Sequence, residues 1–579
     1  MTPVKLIVER NVEAVMRDGT ILRAHVYRPD VKERLPVLLQ RTPYNKDASK
    51  VDFCLLSAER GYAVVVQDTR GRWASDGLHY ALRDEFEDGY DTVKWAASQP
   101  WANGKVGMWG GSYVGWTQWA AAATRPPLLV TIFPSVTFTD AYADLWYPGG
   151  ELALGVLASW FLVAGASMVI ERMDVSPEDK AALQEELADA LDGLVDGSTS
   201  RTLPLSDMPL LGREDIGQAY LDMISHPEDD AYWDAMNIRR RMGEIAVPVY
   251  HLGGWYDIFV SGTLASYVTM RRFAATEVAR NNQKLIMGPW LHGPLSGAVG
   301  EFDFGYRASD LSVQHYQLMW RWFDHWLKGA DNGIVDEPPV RIFVMGRNRW
   351  RDENEWPLAR TVYTPCYLHS LGQANTLTGT GTLSMEKPAE EVPDRYTYDP
   401  RNPVPTRGGG LCCWQAALPP GAFDQRQIEH RQDVLVYTSD VLAEDLEVTG
   451  PVRVVLWAAS DAVDTDFTAK LVDVCPKGYA RNILDGIVRA RYRRSTAEAQ
   501  FLTPGAVEKY TIDLGATSNV FLKGHRLRLE ISSSNFPRFA RNANTGAPVG
   551  CEADMRPAAQ TIYHDAEHAS HIVLPLVPQ

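Results

Sequence analysis

Through the first third of the chain, short apolar runs rich in β-branched residues alternate with segments of helical periodicity. Residues 20–27 alternate and lead to Pro29, residues 36–40 form a short apolar run, and residues 62–67 read YAVVVQ. The stretch from about Glu85 to Ser98 that follows carries Phe86, Tyr90, Val93 and Ala97 at helical spacing. Continuous apolar strands are those buried on both faces. Strands alternating with helices call for a parallel sheet covered by helices on both sides. The expected fold class is therefore α/β.

At 579 residues the chain exceeds what one hydrophobic core holds, so two or three domains are expected. Residues 146–240 lack a strong β-branched run and read as a helical insertion. Within them Ser176 is a candidate N-cap, Pro177 fits the first helical position, and Glu178 and Asp179 supply acids to the first turn, ahead of the strong helix KAALQEELADALDGL. Strand-like segments resume at residues 247–252 and 284–287. The first domain is thus interrupted and then completed, over residues 1–145 and 241–348. Residues 349–579 lose the helical signal. Alternating runs at 453–457, 467–472 and 525–532, separated by turn residues, predict an antiparallel β-sandwich, a jelly roll.

The net charge of −16 argues against nucleic acid or an anionic membrane surface as partner. Six cysteines in no CxxC or Cys/His pattern give no metal site. They read as buried free thiols in a reducing compartment. The N-terminus has charges throughout and no apolar h-region, and no stretch approaches the roughly 20 apolar residues of a spanning helix. A cytoplasmic location is expected.

The strongest chemical signal is Gly110-Gly111-Ser112-Tyr113-Val114-Gly115, between a short strand at 106–109 and a helix at 116–124. A serine at a strand-to-helix turn is the nucleophile elbow of α/β-hydrolases. The rival, a phosphate loop, lacks its GK[ST] lysine. The usual elbow is GxSxG, whereas Val114 stands at the second glycine here; a plain glycine-rich turn stays open on the motif alone. Serine needs a base, and the base an orienting acid, in the chain order Ser, acid, His. Asp257, in GGWYD, follows one strand, and His292, in GPWLHG, follows the next. Each alone fits an ordinary loop residue; order and position together make them acid and base. His251 is a weaker candidate base because it sits within a strand pattern. Two oxyanion donors are required as well. The Tyr113 backbone N–H is the natural first. The loop RTPYNK has no glycine run to bare a second amide, so Tyr44 either donates its phenolic O–H or packs at a strand end.

RTPYNK, DTRGRWASDG, GGSYVG, GGWYD and GPWLHG together resemble the CocE/NonD hydrolases, relatives of X-prolyl dipeptidyl-peptidases and α-amino-acid ester hydrolases. The family elbow is GxSYxG, which accommodates Val114. The resemblance implies an α/β-hydrolase core, a helical cap and a C-terminal jelly roll. It carries the nucleophile, acid and base onto Ser112, Asp257 and His292, and the oxyanion donors onto Tyr44 and Tyr113. It implies that Phe259 lines the acyl pocket, and that the cap supplies aromatic walls, for which Trp146, Trp160 and Phe161 are candidates. Asp144, Glu151 and Glu171 are candidate acids for a substrate amino group. The expected activity is hydrolysis of a small ester or amide through an acyl-enzyme, with no cofactor and no metal, in a possible homodimer. The alternatives are an X-Pro dipeptidyl-peptidase or α-amino-acid ester hydrolase, and, from another class, a non-catalytic scaffold binding through the β-sandwich.

Overall fold

The structure is a computed structural model that describes residues 4–578. Its first unit is built on a ten-stranded sheet. The strands are β1 (Leu6–Val15), β2 (Ile21–Pro29), β3 (Leu35–Thr42), β4 (Ala63–Asp68), β5 (Ala102–Gly111), β6 (Leu129–Ser135), β7 (Val249–Tyr256) and β8 (Gln283–Leu291). A small hairpin, β9 (Ala298–Val299) with β10 (Phe302–Asp303), stands apart, and β11 (Val340–Val344) and β12 (Arg349–Glu353) complete the sheet. The order is β1-β2-β4-β3-β5-β6-β7-β8-β11-β12. From β4 through β11 neighbours are parallel. The edges are antiparallel.

The expected α/β class follows from burial. Every residue of β3, β4 and β7 is buried, as strands covered on both faces must be. One face packs against α2 (Glu85–Ser98) and α3 (Tyr113–Ala123). The other packs against α1 (Val51–Glu59) and the helix His315–Lys328, whose Trp322 and Phe323 are fully buried. Because β12 pairs with β11, the sheet runs to Glu353 and past the expected boundary at 348. A tight hairpin carries the chain back along an edge, and such a strand lacks the apolar run of a central one.

The chain leaves the sheet after β6 and re-enters at β7, and the helical insertion lies between them. Ser176 caps Pro177–Asp196 through a hydrogen bond from the Asp179 amide, the role read from its sequence. One helical run here, Leu154–Arg172, is long and apolar enough to cross a bilayer, with mean hydropathy 1.8. The expectation that no stretch approaches that length is corrected. Of this window 61% is buried within the protein, and Leu157, Leu162 and Ile170 pack in the cap core. A helix surrounded by core is apolar on all sides.

The C-terminal unit is rich in β-strands, eleven of them in one connected sheet. Its spine is Leu446–Ser460 paired antiparallel with Glu508–Phe521. The unit docks directly on the first one: the Tyr256 hydroxyl, at the end of β7, donates to the Asn482 carbonyl at 2.8 Å.

Candidate active site

Ser112 occupies the turn between β5 and α3 with φ 61° and ψ −132°, a conformation that non-glycine residues rarely adopt. The surrounding contacts hold it there. Its amide donates to the Ser135 carbonyl at 3.0 Å, and its carbonyl accepts from the Trp116 amide at 3.0 Å and the Thr137 hydroxyl at 2.7 Å. The departure from the usual elbow has a steric reason. A Cβ on Gly110 would lie 2.3 Å from Val114 Cγ1, so the glycine ahead of the serine makes room for the valine behind it. Gly115 in turn faces Thr137, whose Cβ would stand 2.7 Å from an added methyl.

Ser112, His292 and Asp257 come together at the C-terminal ends of β5, β8 and β7. His292 Nε2 lies 3.0 Å from Ser112 Oγ, and His292 Nδ1 lies 2.9 Å from Asp257 Oδ2. With the proton on Nδ1, the ring donates to Asp257 and accepts from the serine. Asp257 is 2% exposed, and its second oxygen accepts from the Phe259 amide at 2.6 Å. The rival His251 is elsewhere: it is buried within β7, with Nε2 2.8 Å from Gln283 Oε1, and burial pushes its pKa down to about 4.

Tyr113 opens α3, so its amide is among the first-turn N–H groups that have no intrahelical acceptor. Its hydroxyl is anchored away from the serine, donating to Glu85 Oε1 at 3.0 Å. Tyr44 stands across the site. Its hydroxyl end is enclosed, which pushes the phenol pKa up and keeps the proton in place, and it accepts from Trp160 Nε1 at 3.0 Å. The loop bearing Tyr44 is set by residues whose role the sequence did not assign. Arg72 Nε and Trp73 Nε1 both donate to the Pro43 carbonyl at 3.0 Å, and buried Lys46 donates to buried Asp68 at 2.7 Å. The RTPYNK and DTRGRW segments thus interlock. Their appearance as paired motifs was the available signal.

A narrow slot opens beside Ser112, with free space of only about 30 Å³. Phe259, Trp146 and Trp160 line it. Phe259 also sets its ring edge-on to His292, centroids 5.2 Å apart. Phe161 is a correction. It is 5% exposed and stands behind the wall, against Trp146 at 5.9 Å and Tyr220 at 6.2 Å. Successive helical residues point about 100° apart, so neighbours 160 and 161 cannot both face the slot. The candidate acids are also elsewhere. Asp144 pairs with Arg239, Glu151 is buried against Arg489, and Glu171 is exposed. Asp144 lines a neighbouring cavity of about 540 Å³, which shares Leu145, Val156 and Cys412 with the slot and is also lined by Asp257.

The β-rich unit supplies a wall that the sequence did not reveal. Cys412 and Cys413 line the slot and are joined to each other as a disulfide. The expectation of free buried thiols is therefore corrected: it holds for Cys54 and Cys366, whereas Cys475 is half-buried and Cys551 exposed.

Residues 18–294 match the X-Pro dipeptidyl-peptidase (S15) family, and residues 332–573 match the X-Pro dipeptidyl-peptidase C-terminal non-catalytic domain. The chain is 42% identical to cocaine esterase of Rhodococcus sp. (strain MB1 Bresler) over 98% of both chains. Among solved structures it is similar to an aminopeptidase from a marine sediment Thaumarchaeota archaeon, with TM-score 0.83 and 26% identity over 100% of this chain and 98% of that one. It is similar also to an α-amino acid ester hydrolase, with TM-score 0.80 and 26% identity over 99% and 96% of the two chains.

Proposed function

Since this chain belongs to the CocE/NonD serine hydrolases, which share the S15 catalytic domain, we propose that it is an esterase for neutral, apolar acyl groups working through Ser112, His292 and Asp257. His292 takes the Ser112 proton as the hydroxyl attacks the substrate carbonyl. The Tyr44 hydroxyl and the Tyr113 amide receive the oxyanion. Asp257 keeps the proton on Nδ1 and stabilises the imidazolium. His292 then gives its proton to the leaving group and activates the water that frees Ser112.

The observation that carries the apolar preference is the slot itself. Aromatic and aliphatic side chains dominate its lining, and no carboxylate is among them in the described residues. A dipeptidyl-peptidase or amino-acid ester hydrolase holds a substrate ammonium, and a buried cation needs a counter-charge. The names of the S15 relatives favour that second reading, and the slot disfavours it.

The test is a panel of nitrophenyl esters and X-Pro nitroanilides. Apolar esters are expected to turn over well ahead of X-Pro amides, and Ser112→Ala is expected to lose both turnover and labelling by a fluorophosphonate. Preference for X-Pro amides would establish the second reading; full activity in Ser112→Ala would remove the serine. The homodimer and the cytoplasmic location belong to the same proposal, and light scattering and cell fractionation check them.

A further inference from the structure

The segment RGGGLCCWQAALPPG reaches from the β-rich unit to the mouth of the slot. Gly409 and Gly421 clamp its base by two backbone hydrogen bonds, at 2.8 and 2.9 Å, and Trp414 packs against the cap and catalytic core. Between the clamp and that anchor stand Cys412 and Cys413. Both line the slot with Ser112, Tyr44, Trp160 and Phe259. Cys412 is 4% exposed, Cys413 is half-buried, and Cys413 has φ 78°, the left-handed region that a side-chain-bearing residue seldom occupies.

The slot is narrow, and the cysteine pair stands among its walls with Tyr113, Trp160 and Phe259, so the position of the pair limits how bulky an acyl group can lie beside Ser112. Most of the other walls are deeply packed. Phe259, Trp146 and Tyr113 are each under 5% exposed and belong to the main core. The cysteine pair is held otherwise, by a covalent ring closed through its own side chains. Opening that ring frees half-buried Cys413 to leave its left-handed backbone conformation and turn its sulfur from the slot.

We propose that the Cys412–Cys413 pair is a redox modification site that sets the size of acyl group the slot accepts, with reduction by a thiol widening it. The step balances. One thiolate attacks a sulfur of the pair, breaking the bond between them and forming a mixed disulfide. A second thiol then attacks that mixed disulfide. The protein gains two electrons and two protons, and the thiols leave as their own disulfide. The proposal rests on the esterase reading above.

The experiment uses the full chain carrying Cys475→Ser and Cys551→Ser, so that the remaining thiols are Cys54, Cys366 and the pair. A phosphine serves as reductant because a thiol would also intercept the acyl-enzyme. Alkylation of the denatured protein, read by mass spectrometry, reports the state of the pair. Turnover of nitrophenyl benzoate relative to nitrophenyl acetate reports the slot. On reduction the benzoate-to-acetate ratio of kcat/KM is expected to rise roughly 10-fold, the discrimination that about one methylene of pocket space provides. It is expected to fall back on reoxidation. A Cys412→Ala/Cys413→Ala variant is expected to give one ratio with or without phosphine.

An unchanged ratio in protein whose pair is shown to open would overturn the proposal, as would a pair already alkylated in air-oxidised protein. Fluorophosphonate labelling separates the two levels. Labelling in both states with an unchanged ratio defeats the redox site alone. Labelling in neither state defeats the esterase reading and this one with it.

Discussion

Tyr44 and Trp160 form a two-residue relay of hydrogen bonds. The indole N–H occupies a lone pair of the phenol oxygen, so the Tyr44 proton is left to point into the slot. Tyr44→Phe removes that proton and little volume. Its kcat is expected to fall roughly 10²-fold for an aryl ester, with the melting temperature unchanged. Trp160→Phe keeps an aromatic ring over Tyr113, with which the indole now stacks at 6.0 Å, and loses the N–H together with one ring of the slot wall. A decrease of about 3- to 10-fold, in kcat more than KM, is expected from one hydrogen bond of ordinary strength. Steady-state kinetics on both variants check this, and an unaltered kcat in Tyr44→Phe would exclude the hydroxyl from the oxyanion site.

At the level of elements, the elbow works because β5, α3 and the Val136–Thr137 segment fit together without spare room. Gly115→Ala sets a methyl against Thr137, the residue that ties the Ser112 carbonyl. The overpacking is expected to cost about 1–3 kcal/mol of stability. It is also expected to lower kcat for small and large esters alike, because it displaces the nucleophile rather than the slot. Denaturant melts and a two-ester comparison test the pair of effects. The elements most legible in the sequence are those whose role is local. Ser112, Asp257 and His292 each follow a recognisable apolar strand, and parallel strands bring such ends to one edge. Phe161 was misplaced because adjacent aromatic residues in a helix look alike until the core side is known. Cys412 and Cys413 were missed as a wall because nothing in their own segment says that it reaches the serine. That reach depends on the Gly409–Gly421 clamp and on how the β-rich unit docks.

For the whole molecule, one buried cluster of charge fastens the cap to the β-rich unit. Glu151 from the cap meets Arg489, which also bonds Asp466 at 3.1 Å, while Arg491 bonds Asp464 at 2.7 Å beside Glu552. Carboxylates outnumber guanidiniums there. Burial, only partly offset by Arg489 and Arg491, pushes Glu552 up to about 7. A carboxyl with a raised folded pKa stabilises the fold while protonated, below its unfolded value near 4.5, and loses that contribution as pH rises through about 7. Glu552→Gln removes this term. Between pH 5 and 7.5 the variant is expected to gain stability relative to the parent by about 2–4 kcal/mol. Melting temperatures across that range, measured on both proteins, test it; parallel curves would mean that Glu552 is ionised throughout.

The cap leaves the sheet after Ser135 and returns at Val249, and β6 and β7 are adjacent strands, with Ser135 paired to Leu252. Everything between them enters and exits through a single gap. The spacing of the serine, acid and base strands is therefore indifferent to what is spliced in at that point. Selection can lengthen or shorten the insert, and so change which acyl groups are admitted, without moving the triad strands, so long as a donor such as Trp160 still meets the Tyr44 hydroxyl. A lineage built this way diversifies in diet while its reaction stays inherited.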